Sequence, residues 1–267
     1  NTPADVVLTV DIARLMSYAN KKLLAPVNSK ILLSNIPRHL RATDNTWFAF
    51  SKRARVVAIS RDRVKPSELE RVEDLTGAKW KGRICTRPGS HVYNRSLLAS
   101  IINANGAAEA EKWAKGFVAN LARRPQGNDR AQIKAIHSGE CDLGLVNNYY
   151  YGKLLNSKAA DQREWAKSVR LVFMNQNDRG NHVNISGGGL VKHSKNKENG
   201  IKLLEFLTGQ IAQKLYGEIN FEYPVNPAVS LSKDLKAWGV FKEDTVSIEK
   251  IAKLARESQK IIDRSGW

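Results

Sequence analysis

Three consecutive tyrosines, Tyr149-Tyr150-Tyr151, follow Asn147-Asn148 directly after the short apolar run Asp142–Val146. A run of that length bounded by polar residues reads as a strand, and in α/β proteins ligands gather beyond the carboxyl ends of strands. An ionised phenol is a hard oxygen donor. A small, highly charged cation such as Fe3+ suits it, because the cation favours the ionised form and offsets the ordinary phenol pKa of about 10. Adjacent helical positions diverge by about 100°, so neighbouring tyrosines converge on one atom only if they lie in a turn ahead of the helix proper. The alternative is that the three rings are ordinary core and surface aromatics.

Tyr93 is a second candidate. The segment Gly82–Thr86 reads as a strand, Arg87-Pro88-Gly89-Ser90 as a loop and His91–Asn103 as a helix. A strand, a glycine-containing loop and a helix N-terminus make a site for an anion or ligand; otherwise Tyr93 packs on its own domain. Lys52, Arg53 and Arg55 form a third cluster. Arg53 and Arg55 are two apart, so on a strand they share a face, where they repel unless they meet an anion or a carboxylate. Residues 38–65 hold eight basic and two acidic side chains, which predicts a local positive field.

Other chemistries find little support. The histidines at 39, 91, 137, 182 and 193 lack close metal-ligand spacing. Gly187-Gly188-Gly189 matches neither a dinucleotide fingerprint nor a phosphate-binding loop and reads as a turn or bulge. No nucleophile elbow or nucleophile–base pair is present, so an enzyme is not expected. Cys85 and Cys141 are too few for a zinc site and fit either two buried thiols or one disulfide.

These groups must be positioned by a chain of 267 residues with 43 Lys+Arg, 26 Asp+Glu and a net charge of +17. With 42% hydrophobic and 26% charged residues it is globular in composition. No run approaches the ~18–20 apolar residues of a membrane span, and Asn1-Thr2-Pro3-Ala4-Asp5 lacks the apolar core of a signal peptide. The charge favours anionic partners, but basic residues scattered along the whole chain, with no nucleic-acid motif, argue against a nucleic-acid groove.

Short apolar strands alternate with helical patterns: strands at residues 4–10, 47–60, 82–86, 142–146 and 169–175, and helices at 12–20, 107–121, 130–137, 199–207 and 246–263. Asn128 or Asp129 can cap the helix that starts at Arg130. The alternation predicts an α/β fold with a mainly parallel sheet. Two long extended stretches predict two domains joined by two strands, with a ligand between them.

Thr2-Pro3-Ala4-Asp5-Val6-Val7, Trp47-Phe48 with Arg53-Ala54-Arg55-Val56, Val146-Asn147-Asn148-Tyr149-Tyr150 and Glu222-Tyr223-Pro224-Val225-Asn226 occur in an order that resembles one family. That family is the bacterial periplasmic ferric-iron-binding proteins of ABC transporters, in its tyrosine-rich subgroup. The resemblance runs from Thr2 to about Val229 and more loosely to the C-terminus. It implies a two-lobed periplasmic-binding-protein fold of type II, with residues 1–52 and 181–230 in one lobe and 53–180 and 231–267 in the other. Hinge strands would lie near 47–60 and 169–180, and Fe3+ would be captured in the inter-lobe cleft. By resemblance Tyr93, Tyr149 and Tyr150 are the iron ligands, and Tyr151 is structural. Arg53 or Arg55, Ser90, Asn128 and Asn147 would hold a synergistic anion such as carbonate or form the surrounding shell. The carboxylate used by some members falls at Val10, with Asp11 beside it. Members also carry a strand–helix–strand unit ahead of the Thr-Pro-Ala-Asp-Val segment, which is expected to be missing here. A non-catalytic monomer in the periplasm is implied, taking up ferric ion or a ferric chelate, delivering to an inner-membrane permease and binding no nucleic acid. The oxidising compartment favours a Cys85–Cys141 disulfide. The same fold also serves binding proteins for other small anions or metal chelates, for which Arg53 and Arg55 would be the anchors.

Overall fold

The computed structural model describes residues 2–267. Its strands are β1 (Val6–Val10), β2 (Leu24–Ala25), β3 (Phe48–Ser60), β4 (Ile84–Cys85), β5 (Leu143–Asn147), β6 (Val169–Val172), β7 (Val183–Val191) and β8 (Tyr223–Pro224). The chain divides into two compact units. The first is Asn1–Arg53, Asn184–Gly239 and Val246–Lys253; the second is Ala54–Val183, Val240–Thr245 and Leu254–Trp267.

In the first unit β7 runs antiparallel to β1, from Val6 opposite Leu190 to Val10 opposite Ser186, and the first half of β3 carries β8 at Ser51 and Lys52. Its core gathers Ile12, Leu15, Leu32, Trp47, Phe48, Phe50, Ile185, Leu204 and Ile248. The first strand is not the buried one the sequence suggests: Leu8 is 53% and Val10 38% exposed, because β1 lies at the end of the strand order.

The glycine triplet also departs from expectation. Gly187, Gly188 and Gly189 lie inside β7 rather than in a turn. A Cβ on Gly188 would stand 2.1 Å from the Val7 carbonyl oxygen, one on Gly187 2.5 Å from that of Phe48, and one on Gly189 2.3 Å from that of Thr46. The triplet is there so that flanking backbones can close in on both sides of β7.

In the second unit the other half of β3 lies between β5 and β6, both antiparallel to it, and β4 pairs with β5 in parallel. The expected mainly parallel sheet is therefore corrected. Among the described pairings with a register only β4–β5 is parallel, because β3 alone supplies antiparallel partners to β5, β6 and β8. The return crossing is corrected as well: β6 stays within the second unit on residues 57–60, and the chain re-enters the first unit after Val183, within β7. The C-terminal helix is two helices, Ile248–Lys253 and Ala255–Ser265. They are broken at Leu254 and belong to different units, so 246–253 leaves the lobe to which the sequence assigned it.

The second core holds Trp80, Leu97, Ile101, Trp113, Phe117, Leu143, Ile261 and Trp267. Cys85 and Cys141 form a disulfide. It ties the end of the two-residue strand β4 to the residues leading into β5, where only two register pairs otherwise hold the strands together.

Two outcomes follow for stability. Gly188→Ala forces a methyl group against a carbonyl and is expected to cost about 1–3 kcal/mol, read as a lowered midpoint in denaturant unfolding. Cys141→Ser opens a loop spanning 56 residues and is expected to cost about 2–4 kcal/mol. On treatment with a thiol reductant the wild-type protein should gain the mass of two hydrogen atoms.

Candidate metal centre

The end of β5 and two helix starts build the site, all within the second unit. Tyr149 and Tyr150 occupy the first turn of the helix Asn148–Leu155, directly after β5, and Tyr93 is the second residue of the helix Val92–Asn105. The hydroxyls of Tyr93 and Tyr149 are 3.0 Å apart. The rings of Tyr149 and Tyr150 lie 4.3 Å apart at 33°. These two neighbours thus stay side by side although both are helical, where the sequence argument required a turn ahead of the helix. Tyr151 is buried.

Burial is the largest cause pushing the Tyr149 phenol well above its ordinary pKa, and the Tyr93 and Tyr150 phenols add to it. Phenols held this close cannot all ionise without a cation between them. Both helix N-termini favour negative side chains in their first turns. Cationic groups also face the rings: Arg87 at 5.2 Å and Arg55 at 6.0 Å from the Tyr93 centroid, Lys153 at 5.7 Å from that of Tyr149 and Arg130 at 5.9 Å from that of Tyr150.

Behind the tyrosines lies a charge cluster that sequence reasoning missed. Asp129 is fully buried. Its Oδ2 accepts from Arg55 Nη1 at 2.6 Å and from the Asn147 backbone N–H at 2.8 Å, and its Oδ1 accepts from Arg87 Nη1 at 3.0 Å. Arg55 also donates to Asn94 Oδ1 at 2.6 Å and to Asn147 Oδ1 at 3.3 Å. Asn94 in turn donates to the carbonyls of Arg87 and Pro88. The sequence shows Asp129 only as a helix-capping candidate, since its partners lie 18, 42 and 74 positions away.

The remaining candidates have these surroundings. Asn128 is exposed and caps the helix Asp129–His137 through a bond from the Ala131 N–H. Ser90 is exposed in the loop ahead of Val92. Arg53 belongs to the first unit, where it donates to Ser186 at 3.1 Å and pairs with Asp11 at 3.5 Å. Asp11 caps the helix Ile12–Asn20 and accepts from Asn184 at 2.9 Å. Each arginine of the strand therefore already meets a carboxylate, which resolves their repulsion without an anion. Among the buried donors of the second unit without a hydrogen-bond partner are Arg55 Nε, Arg87 Nε and Asn147 Nδ2. Among the described residues no group of three His, Cys, Asp or Glu side chains is placed to hold a metal ion, so a metal at this site would be held by phenols.

A model of the bacterial extracellular solute-binding protein family matches residues 1–242. The chain belongs to this family. Within it, iron uptake protein A1 of Synechocystis sp. is 47% identical over 100% of this chain and 74% of its own length. The major ferric iron-binding protein of Neisseria meningitidis serogroup B is 27% identical over 99% of this chain and 78% of its own. A Trichodesmium protein, IdiA (FutA), solved in complex with iron and citrate, superposes with a TM-score of 0.97 at 48% identity, covering 100% of this chain and 84% of that one. The periplasmic-binding-protein fold of ferric-binding proteins, expected from the sequence motifs, is the fold of this solute-binding protein.

Because the Tyr149 pKa is raised, the native apoprotein keeps a proton that the unfolded chain releases above about pH 10. Stability is therefore expected to fall as pH rises beyond that point. In Tyr149→Phe the fall of stability above about pH 10, read by denaturant unfolding, should be shallower than in the wild-type protein.

Proposed function

We propose that this solute-binding protein captures Fe3+ with the phenolates of Tyr93, Tyr149 and Tyr150 and delivers it, as a periplasmic monomer, to an ABC permease of the inner membrane. The observation that carries the reading is the meeting of the Tyr93 and Tyr149 hydroxyls, with the Tyr150 ring tilted alongside that of Tyr149. Three ionised phenols match the charge of a ferric ion, and oxygen-only donors suit a hard cation. Relatives named for iron uptake and for ferric iron binding support the choice of metal.

The site's own residues account for capture and release in chemical terms. Each phenol must lose a proton to bind, and burial makes that step costly for Tyr149. Binding should thus weaken as pH falls, because protons compete with the metal for the same oxygens. Arg55 and Arg87 stand 6.0 and 5.2 Å from the centroid of the Tyr93 ring and place positive charge beside it. A synergistic anion, carbonate or the citrate found with iron in the Trichodesmium relative, would be met by the unpartnered donors Arg55 Nε, Arg87 Nε and Asn147 Nδ2. These three lie with the tyrosines in the second unit, as do Ser90 and Asn128, whereas Arg53 belongs to the first unit.

Addition of ferric citrate to the apoprotein is expected to give a visible phenolate-to-iron absorption band. Tyr149→Phe and Tyr150→Phe should each remove or strongly weaken the band. Each should lower affinity by more than the ~10–100-fold typical of losing a group behind the metal ligands. Undiminished colour and affinity in both variants would contradict the ligand assignment.

A further inference from the structure

We infer that Asp129 is the positioning residue of the tyrosine site: its buried carboxylate ties the loop ahead of Tyr93 to the end of β5 ahead of Tyr149 and so sets the separation of their hydroxyls. The inference rests on the ferric reading above but concerns a residue that touches neither metal nor anion.

Asp129 reaches both tyrosine-bearing segments. On one side Arg87 Nη1, at 3.0 Å, brings in the loop that runs through Pro88 and Gly89 to Tyr93. On the other the Asn147 N–H, at 2.8 Å, fixes the last residue of β5, two positions before Tyr149. Arg55, at 2.6 Å from the same carboxylate, spans the pair by donating to Asn94, next to Tyr93, and to Asn147. A carboxyl group with no exposure is met by two guanidiniums and a backbone N–H, and displacing it would leave buried guanidiniums without partners. Two arginines against one aspartate also leave a net positive charge beside the Tyr93 ring. A carboxylate that merely capped its helix would need neither arginine; the cap here is made by Asn128.

Asp129→Glu keeps the charge and adds one methylene, so it separates position from charge. The variant is expected to fold, with wild-type circular dichroism. It should bind ferric citrate at least ~10-fold more weakly, with a shifted and weaker tyrosinate–iron band at saturating iron. In its apo crystal structure the Tyr93–Tyr149 hydroxyl contact, 3.0 Å here, should be broken. Asp142→Asn is the control: Asp142 also bridges two arginines, Arg63 and Arg83, but ahead of β5, at the opposite end of that strand from Tyr149, and the variant should keep the wild-type band. Asp129→Asn should either fail to fold or show the same loss of band. A folded Asp129→Glu with wild-type affinity, band and hydroxyl contact overturns the inference while leaving the ferric reading intact. An uncoloured wild-type protein overturns the ferric reading, and the positioning role with it.

Discussion

A carboxyl group carried fully out of water is costly unless donors meet its oxygens, and Asp129 is in that situation. Arg55, Arg87 and the Asn147 N–H meet it. Each of those donors comes from a different piece of chain: β3, the loop after β4 and the end of β5. The arrangement of the second unit around its tyrosines depends on this one requirement. If the oxygens are to be satisfied, the loop leading to Tyr93 and the strand leading to Tyr149 must approach a common point. The disulfide between Cys85 and Cys141 ties the end of β4 to the residues just ahead of β5.

The chemistry of the site follows from how those pieces meet. Phenols are poor ligands at neutral pH because they hold their protons, and burial of Tyr149 strengthens that hold. A trivalent cation reverses the balance, since it stabilises several phenolates at once in a setting where water screens little. The cations around the rings contribute in the same direction without supplying ligands of their own. A site that is costly to ionise when empty and favourable when filled discriminates strongly for a highly charged, oxygen-seeking metal. It also gives the metal up when protons become plentiful.

Much of this was legible in the sequence. The tyrosine triplet at a strand end and the strand–loop–helix pattern before Tyr93 are local signals, and both survive in the structure because strand ends and helix starts are set by nearby residues. Asp129 was hidden for the opposite reason. At a helix start it is indistinguishable from a capping residue, and its partners are distant in sequence. Arg53 and Arg55 were legible as a charged pair, but their partners Asp11 and Asp129 were not, so their repulsion suggested an anion. The glycine triplet read as a turn because close approach of neighbouring backbones leaves no trace in the sequence. The apolar stripe of residues 246–263 continued across Leu254 and concealed a break between units. Strand direction was equally invisible, since apolar runs do not reveal whether β3 or a parallel neighbour lies beside them.

The central claim is that phenol oxygens of Tyr93, Tyr149 and Tyr150 converge on one metal ion. A crystal structure of the ferric-loaded protein, with the iron located by its anomalous scattering, tests this most directly. The account predicts a single iron bonded to the hydroxyl oxygens of all three tyrosines. Iron bound elsewhere, or at this place with any of the three oxygens outside bonding distance, would contradict it.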